Sequence, residues 1–259
     1  MRFIVVTGTG TGVGKTVVAA AIASCGLRAG QRVAVVKPVQ TGVRPGEPAD
    51  LSEIQQLTGL ADLHEYVRYG EPLAPATAAR RLGEPGPAAA ELAGRIAALA
   101  DRDLVIIEGA GGLLVRFDAS GDGLRELATG LAELLQLSGR NRERGARVEF
   151  VLVTSAGLGS LHDAAATASF LPAGWPNHLV IGDWPADLGL AERCNLEDFY
   201  RYTAVPLAGV IPHGAGRLSP DAFAELAVRS LTPALGGVFD AAEFSARHAA
   251  PLPTIESDR

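Results

Sequence analysis

Gly8-Thr9-Gly10-Thr11-Gly12-Val13-Gly14-Lys15-Thr16 follows directly on the apolar run Phe3 to Val6 and opens the Ala-rich stretch Thr16 to Ala29. Strand, glycine-rich turn and helix in that order read as a phosphate-binding loop. Glycines at alternate positions from Gly8 to Gly14 let backbone N–H groups turn inward around an anion. The first turn of the helix adds unpaired donors and a positive dipole end. Lys15 is placed to reach the outer phosphates and Thr16 to ligate Mg²⁺. The usual pattern G-x-x-x-x-G-K-[ST] puts its first glycine where Thr9 stands, with Gly8 one residue earlier, so the loop is a variant.

Outward from the loop, short β-branched runs recur at Phe3 to Thr7, Val33 to Val36, Leu104 to Ile107, Phe150 to Thr154, Leu179 to Ile181 and Leu207 to Ile211. Continuous hydrophobicity marks strands buried on both faces, as in a parallel sheet. Between them lie helical stretches: Thr16 to Ala29, Leu51 to Thr58, Ala88 to Ala100, Gly123 to Leu137, Leu161 to Phe170 and Pro220 to Arg229. The alternation predicts an α/β fold: a doubly wound, mainly parallel sheet with helices on both faces, of the P-loop NTPase type. Ligands then belong beyond the carboxyl ends of the strands.

With 259 residues and 47% hydrophobic content, one α/β domain over residues 1–240 is expected. Residues 241–259 mix charged and apolar positions around Pro-Leu-Pro without a period, and read as a loosely held tail. Net charge −6 offers no basic face for nucleic acid. The segment Arg140 to Arg147 is charged but broken by Glu143 and has no aromatic for stacking, which favours a solvated loop. The run Val17 to Leu27 is too short to cross a bilayer, so no membrane partner is expected. A start that leads straight into the first strand leaves no room for a signal peptide, and Cys25 and Cys194 suit a reducing compartment. These features predict a cytoplasmic protein.

Glu108 ends a strand and precedes Gly109-Ala110-Gly111-Gly112, which presents a carboxylate at the sheet's mouth. It reads as a second Mg²⁺ ligand, or as a strand-end carboxylate paired with a nearby lysine. Asp50, at the start of Asp50-Leu51-Ser52-Glu53, taken alone reads as a helix N-cap. Lys37 ends the second strand in Val36-Lys37-Pro38-Val39-Gln40-Thr41-Gly42, either as a functional cation or as a snorkelling surface lysine.

In combination these segments resemble the dethiobiotin synthetase family. The resemblance rests on Gly8 to Thr16, Lys37-Pro38-Val39 with Thr41-Gly42, Asp50, and Glu108 to Gly112, in that order. It extends to Gly157-Leu158-Gly159-Ser160-Leu161-His162 and Pro206 to Pro212, covering most of residues 1 to about 235. Family members carry the same variant loop.

The resemblance implies ATP as co-substrate and Mg²⁺ as cofactor, with 7,8-diaminopelargonic acid and CO₂ as partners in the reaction. It implies that Gly12, Val13, Gly14, Lys15 and Thr16 hold the triphosphate and that Thr16, Asp50 and Glu108 hold the metal. Thr11, Lys37 and Thr41 then face the amine or carbamate, with Lys37 and Lys15 the catalytic cations. A homodimer is implied as well, in which Gly159, Ser160 and Leu161 of a neighbouring copy receive the substrate carboxylate, with Asp163 beside them. Gly182-Asp183-Trp184 stands where many relatives use an Asn to read adenine, so Gly182 and Asp183 are expected at the nucleotide while other nucleoside triphosphates stay open. Trp184 is expected either to stack on a base or to pack under a loop. Two rivals are a cobyrinic-type amide ligase, which needs a further glutamine-hydrolysing domain, and a partition-type switch ATPase, which carries a lysine where Gly10 stands.

Overall fold

A computed structural model describes residues 1–138 and 145–250. Seven strands form one sheet: β1 (Arg2–Gly8), β2 (Val33–Thr41), β3 (Leu63–Tyr69), β4 (Leu104–Glu108), β5 (Arg147–Thr154), β6 (Asn177–Trp184) and β7 (Leu207–Pro212). Their order is β3-β2-β4-β1-β5-β6-β7, and every neighbouring pair runs parallel. The expected doubly wound sheet is therefore present. Its first strand lies at the centre, paired with β4 on one side and β5 on the other. That is where the winding reverses and where a crevice opens at the carboxyl edge.

Helices cover both faces. On one side α1 (Lys15–Arg28), α2 (Asp50–Thr58) and α8 (Pro220–Ser230) bury Val18, Ile54 and Phe223 against Ile4, Val6 and Ile106. On the other, α3 (Pro75–Arg81), α4 (Ala89–Ala97), α5 (Leu124–Leu137), α6 (Ser160–Ala168) and α7 (Leu190–Thr203) bury Ala78, Leu92, Leu127, Ala164 and Phe199 against Phe3, Val5 and Phe150. Helix α1 is buried nearly all round because its alanines let the sheet, α2 and α8 approach together.

Several elements depart from the sequence reading. Strand β3 was not expected: Leu63-His64-Glu65-Tyr66-Val67-Arg68-Tyr69 carries charge and is half-buried, which suits a sheet edge. Glu65 and Arg68 pair along it, and Arg95 lies 3.8 Å over the Tyr66 ring. Strand β2 runs on to Thr41 through Pro38, where pairing with β4 has already ended at Val36 and a missing N–H is tolerated. Helices α3 and α7 were likewise missed. Residues 139–144, most of the charged segment, lie outside the described residues, and Arg147 opens β5 instead of closing a loop.

The expected loose tail is corrected for Ala241–His248. They form α9, capped by Asp240 Oδ1 at 2.9 Å from the Ala242 and Glu243 N–H groups. Phe244 meets the Trp184 ring edge-on at 5.3 Å, and this aromatic contact docks the helix. Residues 251–259 lie outside the described ones. Among the described residues no helix is long and apolar enough to cross a membrane.

Candidate active site

The loop after β1 is shaped by glycine. Gly12 and Gly14 have φ of 77° and 92°, in the left-handed region, and Gly14 caps α1. The Thr9 N–H donates to the Val153 carbonyl of β5 at 2.9 Å, anchoring the loop to the neighbouring strand. Lys15 folds back over the loop and donates to the Gly10 carbonyl at 2.7 Å. Burial lowers its ammonium pKa, and the Lys37 charge lowers it further against the opposing pull of Glu108 and Asp50.

At the carboxyl ends of β2 and β4, four side chains meet. Lys37 and Glu108 are 3% and 1% exposed, so their charges must be compensated within the protein. Lys37 Nζ donates to Glu108 Oε1 at 2.9 Å and to the Gly109 carbonyl at 3.2 Å, and it also contacts the Asp50 carboxylate. Thr16 Oγ1 donates to the same Glu108 oxygen at 2.8 Å. Burial pushes the Lys37 ammonium down, but the two carboxylates outweigh it and hold the pKa above the ordinary value. Burial raises the Glu108 carboxyl, Lys37 opposes that, and Asp50 adds to the rise. Asp50 is not an N-cap: Ala49 holds that position, with its N–H bonded to Ser52 Oγ at 3.2 Å, which frees Asp50 to face Lys37.

These groups line a cavity of about 370 Å³. Among the expected residues it takes in Thr11, Gly12, Gly14, Lys15, Thr16, Lys37, Thr41, Asp50 and Glu108. Sequence reasoning missed Gln40 and Glu53, which also line it. Glu53 was legible as the residue one helical turn after Asp50 on the same face. Gln40 is 4% exposed; its Nε2 donates to the Thr41 carbonyl at 3.1 Å and its Oε1 has no partner.

The remaining expected residues lie elsewhere. Val13 and Gly182 touch: a side chain on Gly182 would overlap the Val13 carbonyl, and one on Gly14 would come within 2.5 Å of the Gly182 carbonyl. Asp183 is exposed and pairs with His213 at 2.9 Å. Trp184 is 8% exposed and packs against Phe244 and His248, which settles the choice in favour of packing. Gly159 has φ 90° and starts α6; the Ser160 hydroxyl donates back to the Gly157 carbonyl at 2.6 Å, and Asn195 Nδ2 braces the same loop. Neither these residues nor Leu161 line the cavity, and Asp163 is exposed.

Among the described residues no three His, Cys, Asp or Glu side chains form a metal cage. A Mg²⁺ site does not require one, because this ion keeps waters and phosphate oxygens and takes few protein ligands. Thr16, Asp50 and Glu108 supply hard oxygens, and Glu108 Oε2 is buried without a partner, so the residues present fit such an ion.

Residues 2–123 match the family described as "AAA domain". A chain of the MinC:MinD cell division protein complex of Aquifex aeolicus superposes with a TM-score of 0.51, covering 97% of this chain and 98% of that one. At 14% identity that likeness speaks for the fold alone. The ATP-dependent dethiobiotin synthetase BioD of Streptomyces coelicolor is 46% identical over 251 residues, covering 96% of this chain and 99% of the relative. That of Frankia casuarinae is 51% identical over 255 residues, again 96% and 99%. With half its residues shared over nearly the full length of both proteins, the chain belongs to the ATP-dependent dethiobiotin synthetase family.

Proposed function

We propose that this chain is a carbon–nitrogen ligase of biotin biosynthesis, which uses ATP to join 7,8-diaminopelargonic acid to CO₂ and close the cyclic urea of dethiobiotin. The observation that carries the reading is the convergence of Lys15, Thr16, Lys37, Asp50 and Glu108 on one cavity at the mouth of the phosphate loop.

An amine of the substrate adds to CO₂ and loses a proton, giving a carbamate. Lys37 neutralises its charge, with Thr11 and Thr41 alongside. A carbamate oxygen then attacks the γ-phosphorus and ADP leaves. Lys15 and the N–H groups of Gly12, Val13 and Gly14 hold the phosphoryl oxygens in line, and positioning with charge neutralisation supplies most of the rate. The second amine attacks the carbonyl carbon of the mixed anhydride, phosphate departs and the ring closes. Thr16, Asp50 and Glu108 would hold Mg²⁺, which supplies charge neutralisation at the β- and γ-phosphates.

Gly182, which packs against Val13 and Gly14 of the loop, and the adjoining Asp183 are assigned to the nucleoside end of the triphosphate. Gly159, Ser160 and Leu161, which lie outside the cavity, are assigned to a second copy in a homodimer, where the start of α6 receives the substrate carboxylate. Residues 1–240 act as a single catalytic domain, in the cytoplasm, without nucleic-acid or membrane partners.

The test is incubation of purified protein with 7,8-diaminopelargonic acid, bicarbonate, Mg²⁺ and a panel of nucleoside triphosphates. A product of dethiobiotin mass, with one phosphate per turnover, is expected. Phosphate release indifferent to the diamine would instead indicate a switch ATPase. Lys15→Ala should lower turnover by about 100-fold or more, as for removal of a donor to developing charge.

A further inference from the structure

Glu53 stands in the cavity with no assigned task. It lies one turn beyond Asp50 on α2, lines the same space, and its side chain has no hydrogen bond or ion pair among the described residues. It is close enough to Asp50 and Glu108 to feel the charge of both. The segment after β7 passes over it at Gly216, where a side chain would come within 3.1 Å of Glu53 Oε1 and 3.4 Å of Val17 Cγ2. Glu53 therefore sits near Val17 in the first turn of α1, and shares the cavity lining with Thr16.

Two ammonium groups, Lys15 and Lys37, face three carboxylates, Asp50, Glu53 and Glu108. Lys37 is shared between Asp50 and Glu108, and Lys15 is turned toward Gly10. Glu53 is the carboxylate left without a cation. In a cavity built to receive a polyanion, such a group repels the ligand unless a cation arrives with it. A second observation points the same way: Glu108 Oε2 is buried in the same wall with no partner.

We infer that Glu53 is an outer carboxylate of the Mg²⁺ site, holding a water of the metal and not the metal itself. The inference rests on the ligase reading and adds a residue to its metal site. Mg²⁺ dehydrates reluctantly and keeps several waters, so a carboxylate one water away from the ion is a natural partner. Outer-shell groups of this kind are worth roughly 10- to 100-fold in metal affinity.

The test measures Mn²⁺ binding by electron paramagnetic resonance in the ternary complex with a non-hydrolysable ATP analogue, and binding of the analogue alone in chelator. Wild type, Glu108→Gln, Glu53→Ala and Glu53→Gln are compared. For Glu53→Ala, Mn²⁺ affinity should fall about tenfold or more, while affinity for the metal-free analogue stays level or rises because a repelling charge has gone. A merely structural role does not produce that opposite pair of changes. Unchanged Mn²⁺ affinity in both Glu53 variants, alongside a loss in Glu108→Gln, would overturn the inference and leave the ligase reading standing. A fall in metal-free analogue binding as large as the fall in Mn²⁺ affinity would also overturn it. Wild type that binds no Mn²⁺ with the analogue would remove the metal site and the inference together.

Discussion

Lys37 and Glu108 are each too buried to stand alone. An unpaired charge at such depth costs several kcal/mol, and the pair persists because Thr16, Asp50 and the Gly109 carbonyl complete the network. A different constraint acts at Gly182, whose lack of a side chain lets β6 meet the loop at Val13 and Gly14. Gly182→Ala should therefore lose about 1–3 kcal/mol of stability through overpacking. It should also lower turnover by up to about 100-fold through displacement of the loop. Gly10→Ala, with open space around it, should do little by comparison. Urea unfolding and steady-state kinetics on both variants check the contrast, and equal behaviour would refute it. Lys15, Thr16 and Glu108 were legible because the spacing of a phosphate loop and a strand-end carboxylate carries chemical meaning, whereas Asp50 alone read as a helix cap and reached the site only through the family resemblance. Gly182 was expected at the nucleotide only through the family resemblance, and its close approach to Val13 was not legible at all. That contact joins residues far apart in the chain and leaves no local signal.

Among the elements, the strands most buried were the most legible. Strands β1, β4 and β5 read as continuous apolar runs because both faces are covered. Strand β3 and helix α7 did not, since an edge strand keeps polar residues and α7 buries only Asn195, Leu196 and Phe199. The amino ends of β1, β5 and β6 hold a second polar centre, far from the loop. Glu149, 1% exposed, receives both Arg2 Nε and Nη2 at 2.8 Å, Arg147 Nε at 2.6 Å and His178 Nε2 at 3.2 Å. Burial alone would raise this carboxyl, but Arg2, His178 and Arg147 outweigh it and hold its pKa well below the ordinary 4.5. The unfolded chain binds that proton more readily, so the stabilisation is complete above about pH 4.5 and drains away as pH falls below it. Glu149→Gln should lower stability at neutral pH by about 3 kcal/mol and flatten the acid limb of the stability curve. Urea midpoints from pH 3 to 7 measure both effects; an unchanged acid limb would show that other carboxylates dominate it.

At the scale of the molecule, the sheet order decides which parts depend on which. The loop is fastened to β5 through Thr9 and Val153, and it leans on β6 through Gly182. A chain cut after residue 138 keeps every residue from Gly8 to Glu108 yet lacks both supports. It should show no measurable ATP binding by calorimetry, and retained affinity would contradict the dependence. Such a dependence also bears on how the protein emerges from the ribosome. Strand β1 is the first element made, but its partners β4 and β5 begin only at Leu104 and Arg147. Until Leu104 this highly apolar strand has a partner for neither edge, and until Arg147 one edge stays open, a state prone to wrong pairing. On the same dependence ATP should not rescue that interval, since the loop's anchor at Val153 has not yet been made. The nascent chain should therefore need other protection until β5 is made, over more than half of its length.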